Sequence, residues 1–305
     1  MAQSVPVFAL LSTAFFLTGT SLPAARADSG PLIAIEGNGA ADVSGKESPT
    51  IHRVNIIDGI DDRDSLMAIG PALGLSGDEI ARIRMVSGFV GCFLPTPSVG
   101  TGALFLSNRQ VITAAHIFFT PTGEWRSSCF FKNQAVDSAK IDIVADPERS
   151  AFGAVPPRAG SNDDFAIVTL AEPIPGAVPF PVEEDVRIKT GDRLIVITAH
   201  PAGMAKEVET GVPVAQGCSV RRVPISTEAT NFYRTDCDAT GSSSGGMDLA
   251  RVGGALVLRG ITITTGPWQD PRFEGAAYDE RGGSVTTALG TDAAVLAAGR
   301  RLAGE

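Results

Sequence analysis

The feature that most constrains the fold is the spacing of the apolar segments from residue 88 onward. They are short and β-rich, and turn-forming residues separate them. The segments "GFVGCFL", "GALFLS", "VITAAH", "KIDIVA" and "FAIVTL" come before the proline-rich "AEPIPGAVPFPVEED", and "RLIVITA", "CSVRRVPI", "NFYRTDC", "ALVLRGITIT" and "GSVTTAL" come after it. No helical pattern lies between them, which excludes a parallel βαβ array. We therefore predict an all-β fold of two small antiparallel barrels, residues 88–175 and 176–305.

Two helices are predicted outside the regular strand pattern. Ser76 and Glu79 stand at capping-box spacing in "LSGDEIARIRMV", which predicts a short helix there. "TDAAVLAAGRRLA" has helical apolar spacing, and we predict a C-terminal helix with Thr291 as its N-cap, covering a barrel. Residues 28–87 are interpreted as a leader, a propeptide or an N-terminal extension that packs on the main body.

Residues 1–27 have the pattern of a signal peptide. The apolar run "VPVFALLSTAFFLTGTSL" leads to Ala25-Arg26-Ala27, which fits the small-x-small rule for cleavage before Asp28. An N-terminal membrane anchor is the alternative, but Ser, Thr and Gly interrupt the run. We therefore expect a secreted or periplasmic protein without stable membrane insertion after cleavage.

Export permits disulfides. The four cysteines allow two bridges in three connectivities. Cys92–Cys129 and Cys218–Cys237 are the favoured pairs, because each then lies within one half of the chain. Free thiols are the alternative.

Composition excludes several classes of function. The net charge of −9 comes without a basic stripe, so we do not expect nucleic-acid binding. There is no HExxH, CxxC or GxxxxGK[ST] pattern, so neither a metal nor another cofactor is expected. Only three histidines are present, His52, His116 and His200. Acyl transfer by a serine needs just one histidine, with a carboxylate and a hydroxyl.

A candidate for each of these groups stands at the end or start of an apolar segment. His116 ends "VITAAH", Asp164 opens "DFAIVTL", and Ser244 lies in "GSSSGG". The segment "GSSSG" also matches the GxSxG elbow of α/β-hydrolases, but those enzymes place the histidine after the serine, and here the last histidine is His200. The order His–Asp–Ser fits the chymotrypsin plan instead.

"VITAAH", "DDFAIVTL" and "CDATGSSSGG" together resemble the trypsin/chymotrypsin-like serine endopeptidases. More narrowly, they resemble the bacterial branch that includes the glutamyl endopeptidases. "GIDDR" resembles a segment that precedes the protease body in that branch, and "CSV…TDCD" resembles its second-barrel disulfide. The resemblance implies two six-stranded barrels and cleavage of a protein or peptide substrate.

The resemblance also implies a role for each candidate residue. Ser244 would attack the scissile carbonyl, His116 would carry the proton, and Asp164 would orient His116. The backbone N–H groups of Ser242 and Ser244 would form the oxyanion hole.

The loop departs from the family pattern at two positions. The family usually has G-D-S-G-G or G-N-S-G-S, whereas here Ser242 stands where glycine is usual. Glycine is usual because the amide must point at the oxyanion, and a side chain makes that conformation costlier. Ser243 as the nucleophile, two residues after Gly241, is the competing register. The residue directly before Ser244 is Ser243 and not an aspartate, so we predict that maturation does not use an ion pair with a new N-terminus.

The candidate substrate pocket consists of Asp238, six residues before Ser244, and Thr262, Thr264 and Thr265. The glutamyl branch has a histidine where Thr262 stands, so the sequence does not favour glutamate specificity. Two other functions stay open at this point. One is a catalytically impaired homologue that binds a partner through the groove, and the other is an esterase on the same scaffold.

Overall fold

Two curved antiparallel sheets make up most of the structure. The computed structural model describes residues 54–142, 146, 148–183, 187–199, 208–223, 231–266, 275–281 and 283–304. The strands are β1 (Val54–Asn55), β2 (Asp64–Ser65), β3 (Ser87–Cys92), β4 (Ser98–Leu104), β5 (Gln110–Thr113), β6 (Phe130–Lys132), β7 (Ala139–Lys140), β8 (Ser150–Phe152), β9 (Ala166–Thr169), β10 (Arg193–Thr198), β11 (Val214–Arg222), β12 (Phe232–Thr235), β13 (Ala239–Thr240), β14 (Met247–Val252), β15 (Ala255–Thr265) and β16 (Thr286–Gly290). The helices are α1 (Leu66–Ile69), α2 (Gly77–Val86) and α3 (Ala293–Ala303), with 3-10 turns at Ile57–Gly59 and Ala115–Phe118.

The second sheet closes into a barrel. Its order is β10-β14-β15-β16-β12-β11, and β10 pairs with β11 to close the ring, while β2 adds to the outer edge of β11. All these pairs are antiparallel, from Leu194↔Cys218 across the closure to Ala215↔Asp64 at the added strand. The prediction of a six-stranded barrel is therefore confirmed for the second half of the chain.

The first sheet curls without closing. Its order is β7-β6-β3-β4-β5-β9-β8. The edge strands β7 and β8 contain only two and three residues, and the isolated bridge Ile141↔Leu170 joins the residue after β7 to the residue after β9. A sheet with such short edge strands has few N–H and C=O groups left to pair, so this half is a half-barrel rather than the second closed barrel that the sequence predicted.

One apolar core spans both sheets. It joins fully buried residues of the first sheet, such as Val90, Ile112 and Phe131, to Ile197 and Ile261 of the second. Each sheet buries its apolar face in this way, and the space between the sheets is fixed by packing.

Both predicted helices are present. The Ser76–Glu79 capping box forms as expected, and α2 buries Ile80, Ile83 and Val86. The N-cap of α3 is Asp292, whose carboxylate accepts the N–H groups of residues 294 and 295, rather than Thr291. The Thr291 hydroxyl donates to the Leu258 carbonyl instead, which removes it from the helix end.

The structure contains the two predicted disulfides, Cys92–Cys129 and Cys218–Cys237, and no free cysteine. No helix within the described ranges is long and apolar enough to cross a membrane. The predicted signal peptide, His52 and His200 lie outside the described residues. The domain boundaries stay predictions, although residues 54–87 contribute β1, β2 and α2 to the structure.

Candidate active site

His116 and Asp164 meet on the first sheet, where β5 ends and β9 begins. His116 lies in the 3-10 turn that follows β5, and Asp164 lies just before β9. The Asp164 carboxylate accepts the His116 N–H at 2.9 Å and contacts His116 Nδ1 at 2.8 Å. The N–H of Gly160 donates to the same carboxylate at 2.8 Å. Asp164 is fully buried, and these donors hold its carboxylate in one orientation.

Ser244 completes a line of three side chains. His116 Nε2 lies 3.0 Å from Ser244 Oγ. Because the Asp164 carboxylate can only accept, His116 Nδ1 carries a proton, and Nε2 of the neutral ring is left as the acceptor for the Ser244 hydroxyl. The three residues that the sequence singled out are therefore hydrogen-bonded in the order that base catalysis requires.

The loop that presents Ser244 is held by both sheets. The Ser244 carbonyl accepts the N–H of Thr101 on β4 at 2.7 Å, and the Gly245 N–H donates to the Thr262 carbonyl at 2.6 Å. Gly245 has φ +82°, and a Cβ there would lie 1.9 Å from the Thr101 carbonyl oxygen. Only glycine fits this position, which explains the glycine after the serine.

The structure brings Ser244, and not Ser243, to the His116 ring. Ser243 is 2% exposed, and its Oγ accepts the Thr240 N–H at 2.9 Å. This hydroxyl faces its own turn, whereas only Ser244 of the two contacts His116.

The turn before Ser244 has an unexpected form. The Ser243 N–H donates to the Thr240 carbonyl at 2.9 Å, which makes Gly241 and Ser242 the central residues of a β-turn. Neither residue has a positive φ. In the described chain, the non-glycine residues with positive φ are Asp58, Leu106 and Ser128. The turn is therefore type I. A type II turn needs positive φ at the second central residue and has the central peptide rotated by about 180°.

Asp238 is engaged by the N-terminal segment. It is 3% exposed, and its two carboxylate oxygens accept the N–H groups of Ile57 at 2.8 Å and Asp62 at 2.9 Å. Burial raises the pKa of this carboxyl to about 6, against the opposing effect of the two hydrogen bonds. Neither donor carries a side-chain signal that the sequence could reveal, because both are backbone groups.

The threonines of the predicted pocket have different surroundings. Thr262 is buried and donates to Asp248 at 3.1 Å, while Thr265 accepts a hydrogen bond from Asn55 at 2.9 Å. Thr264 is half-buried, and a Cβ on Gly160 would meet its methyl group at 2.9 Å.

Sequence reasoning missed two buried residues around this site. Asp248 on β14 accepts hydrogen bonds from Thr262 and from Tyr233, at 2.6 Å for the latter. Burial raises the pKa of Asp248 to about 6. Asn55 lies within residues 28–87, for which the sequence leaves a leader, a propeptide and an N-terminal extension open. The signal for Asp248 was a lone carboxylate inside an apolar strand, but Asn55 had no signal. In the described ranges, no group of three His, Cys, Asp or Glu residues is arranged to hold a metal ion.

The fold and this arrangement define a chymotrypsin-like peptidase scaffold. The family model of the trypsin-like peptidase domain matches residues 100–257, which is more than half of the chain. The chain therefore belongs to the trypsin-like peptidase family.

Solved structures support the fold at low identity. A glutamyl endopeptidase in complex with MPD is 15% identical with a TM-score of 0.57, covering 82% of this chain and 100% of its own. The thermostable serine protease AL20 from an extremophilic microorganism is 13% identical with a TM-score of 0.53, covering 73% of this chain and 100% of its own. The protease Anisep from Arthrobacter nicotinovorans is 11% identical with a TM-score of 0.52, covering 72% and 96%. No curated protein sequence matches this chain.

Proposed function

We propose that this protein is an exported serine endopeptidase that cleaves peptide bonds through an acyl-enzyme on Ser244. The observation that carries the proposal is the continuous line of hydrogen bonds from Asp164 to His116 at 2.8 Å and from His116 to Ser244 at 3.0 Å. A hydroxyl activated by an imidazole whose other nitrogen is held by a buried carboxylate is the minimal machinery for acyl transfer.

Acylation follows from this geometry. As Ser244 Oγ bonds to the scissile carbonyl carbon, its proton passes to His116 Nε2. Asp164 stabilises the imidazolium that forms, because its buried carboxylate faces Nδ1. When the carbon–nitrogen bond breaks, Nε2 gives the proton to the leaving amine. A water molecule then repeats the sequence, its oxygen bonding to the acyl carbon while Ser244 leaves with a proton.

The oxyanion of the tetrahedral intermediate needs donors. We assign the N–H groups of Ser242 and Ser244 to this role, as the family resemblance implies. In the type I turn, the Gly241–Ser242 peptide is rotated relative to the type II form that a glycine at the second central position allows. Glycine is usual at this position because the amide must point at the oxyanion, so we infer that catalysis requires this peptide to rotate and that Ser242 lowers the rate.

Export is supported by the two disulfides, which persist in oxidising compartments. On this view residues 1–27 direct secretion or transport to the periplasm, with cleavage after Ala27. N-terminal sequencing of protein recovered from the medium or periplasm tests this, and a retained Met1 contradicts it.

The experiment for the activity compares a denatured protein substrate with a simple ester, using the wild type, Ser244→Ala and Ser243→Ala. We expect the wild type and Ser243→Ala to cleave the protein at internal peptide bonds and Ser244→Ala to be inactive. Cleavage of the ester alone indicates an esterase. No cleavage of either substrate indicates an impaired homologue that binds partners, which the type I turn at Ser242 favours.

A further inference from the structure

The space between β13 (Ala239–Thr240) and residues 263–265 at the end of β15 lies beside the loop that carries Ser244. β13 ends directly before Gly241, where the nucleophile loop begins. β15 contacts the same loop through the hydrogen bond from the Gly245 N–H to the Thr262 carbonyl. Both strands that border this space therefore adjoin the loop that carries Ser244. On the proposed function this space receives the P1 side chain, which lies on the acyl side of the cleaved bond. We call it the P1 trench.

Asn55 spans the P1 trench from one wall to the other. Its backbone pairs with Ala239 on β13, and its side-chain Nδ2 donates to Thr265 Oγ1 on β15 at 2.9 Å. Asn55 is 2% exposed. A residue of the N-terminal segment thus fills space between two strands that lie about 180 and 210 positions away in sequence.

The hydroxyl protons of two threonines fix the orientation of the Asn55 amide. Thr286 Oγ1 donates its only proton to the Cys237 carbonyl at 2.7 Å. In the 3.0 Å contact between Thr265 and Thr286, Thr265 must therefore be the donor. Thr265 Oγ1 is then the acceptor for Asn55 Nδ2, since a flipped amide would leave the threonine pair without a proton. Asn55 Oδ1 consequently points to the other side.

Asn55 Oδ1 is buried and has no hydrogen-bond partner in the part of the chain that the structure describes. A buried acceptor without a partner costs about 1–3 kcal/mol, so this oxygen does not stabilise the fold. Its burial also means that the trench has no water-sized space at this point. The side chain therefore acts as a floor.

The N-terminal segment also holds the Asp238 carboxylate. Asp238 accepts the Ile57 and Asp62 N–H groups with its two oxygens and is 3% exposed, so its carboxylate faces the N-terminal segment and not solvent. Residues 57 and 62 also anchor the segment that carries Asn55. Asp238 is a positioning residue for the N-terminal segment in this arrangement.

We propose that the N-terminal segment, residues 54–62, forms the floor of the P1 trench, and that Asn55 restricts the P1 residue to glycine, alanine or serine. This inference rests on the proposed function and names its substrate class. It also makes residues 54–62 part of the working enzyme rather than a removable leader. A longer P1 side chain meets the Asn55 amide, and the Asp238 carboxylate faces the N-terminal segment rather than a basic P1 side chain.

The test measures kcat/KM for peptides that differ only at P1, with Gly, Ala, Ser, Leu, Phe, Lys and Glu, and verifies the cleaved bond by mass spectrometry. For the wild type we expect Ala to exceed Leu, Phe and Lys by at least about tenfold, because each methylene in a fitted pocket changes the rate by about 10- to 200-fold. In Asn55→Ala and Asn55→Gly, Leu and Phe should gain at least about tenfold, while Ala changes little.

Two further variants separate an effect of the Asn55 side chain on P1 preference from a general effect on folding. Asn108→Ala removes an amide that donates to the Ile174 carbonyl on the first sheet, and it should leave the P1 profile unchanged. Asp238→Asn removes an acceptor that anchors residues 54–62, so it should lower the Tm and raise cleavage after Leu and Phe relative to Ala, whereas an Asp238 that bound substrate would lose Lys cleavage selectively.

The outcomes distinguish the inference from the proposed function. A wild type that cleaves after Leu, Phe or Lys as fast as after Ala contradicts the floor. So do folded Asn55→Ala and Asn55→Gly proteins with the wild-type profile. If no peptide is cleaved and Ser244 reacts with no phosphonate, the proposed function is wrong and this inference is wrong with it.

Discussion

Replacing Ser242 by glycine is predicted to accelerate this enzyme. Ser242 is the second central residue of the turn closed by the Ser243–Thr240 hydrogen bond, and its φ is not positive. On this proposal the oxyanion hole forms in the type II turn, with positive φ at residue 242. A residue with a Cβ pays about 1–2 kcal/mol to reach that region, whereas glycine reaches it almost freely.

The expected size of the effect follows from that cost. If the rotation precedes acylation, its free energy adds to the activation barrier. Removing about 1–2 kcal/mol from the barrier raises the rate by about 5- to 30-fold. The gain has an upper limit, because one oxyanion donor contributes about 10²–10³ in kcat.

The assay is kcat/KM on a single peptide with an alanine at P1, with active sites counted by a burst titrant. Ser242→Ala is the matched control, because it removes the hydroxyl and keeps the Cβ, and it should give no gain. Equal or lower activity of a folded Ser242→Gly protein would refute the reasoning. A gain of the same size in Ser242→Ala would show that the hydroxyl, not the backbone, limits the rate.

Three further predictions concern burial, sterics and crosslinks. Asp248 has its pKa raised from 3.8 to about 6 by burial, so the folded protein keeps a proton that the unfolded chain releases. The free energy of unfolding should therefore fall as the pH rises from about 4 to about 6. Asp248→Asn should make this fall smaller in a series of Tm measurements across that pH range. The pKa of Asp238 is also raised to about 6, so Asp238 should account for a further part of the fall. An identical slope in Asp248→Asn would contradict this. Gly245→Ala should abolish peptide cleavage, since its Cβ would lie 1.9 Å from the Thr101 carbonyl oxygen, and wild-type kcat would exclude this packing. The pair Cys218→Ser and Cys237→Ser removes a bridge across 19 positions and should lower the free energy of unfolding in urea by about 3 kcal/mol; a loss below about 1 kcal/mol would argue against the bridge.

The sequence predicted the fold class because short apolar segments between turns leave few arrangements other than antiparallel sheets. It did not predict the open first sheet, since closure depends on whether short edges such as β7 meet in space. The α3 cap shows a related limit. Thr291 and Asp292 both suit an N-cap, and only the contact of Thr291 with the Leu258 carbonyl separates them.

The candidate catalytic residues could be predicted from the sequence because the chain contains few histidines that could act as the base. The sequence has only three histidines, and one of them, His116, ends an apolar segment. The surroundings of Asp238 were not accessible, because its donors are the backbone N–H groups of residues 57 and 62. Backbone donors are the same in every residue except proline, so no side-chain pattern announces them. The turn type at Ser242 was likewise a matter of φ, which the sequence limits but does not fix.

The most direct test of the central claim identifies the atom that a fluorophosphonate modifies. Peptide mapping of the wild type should place the adduct on Ser244. Ser243→Ala should retain the adduct, whereas His116→Ala should lose it. An adduct on Ser243, or one that forms on Ser244 equally fast without His116, would contradict the account.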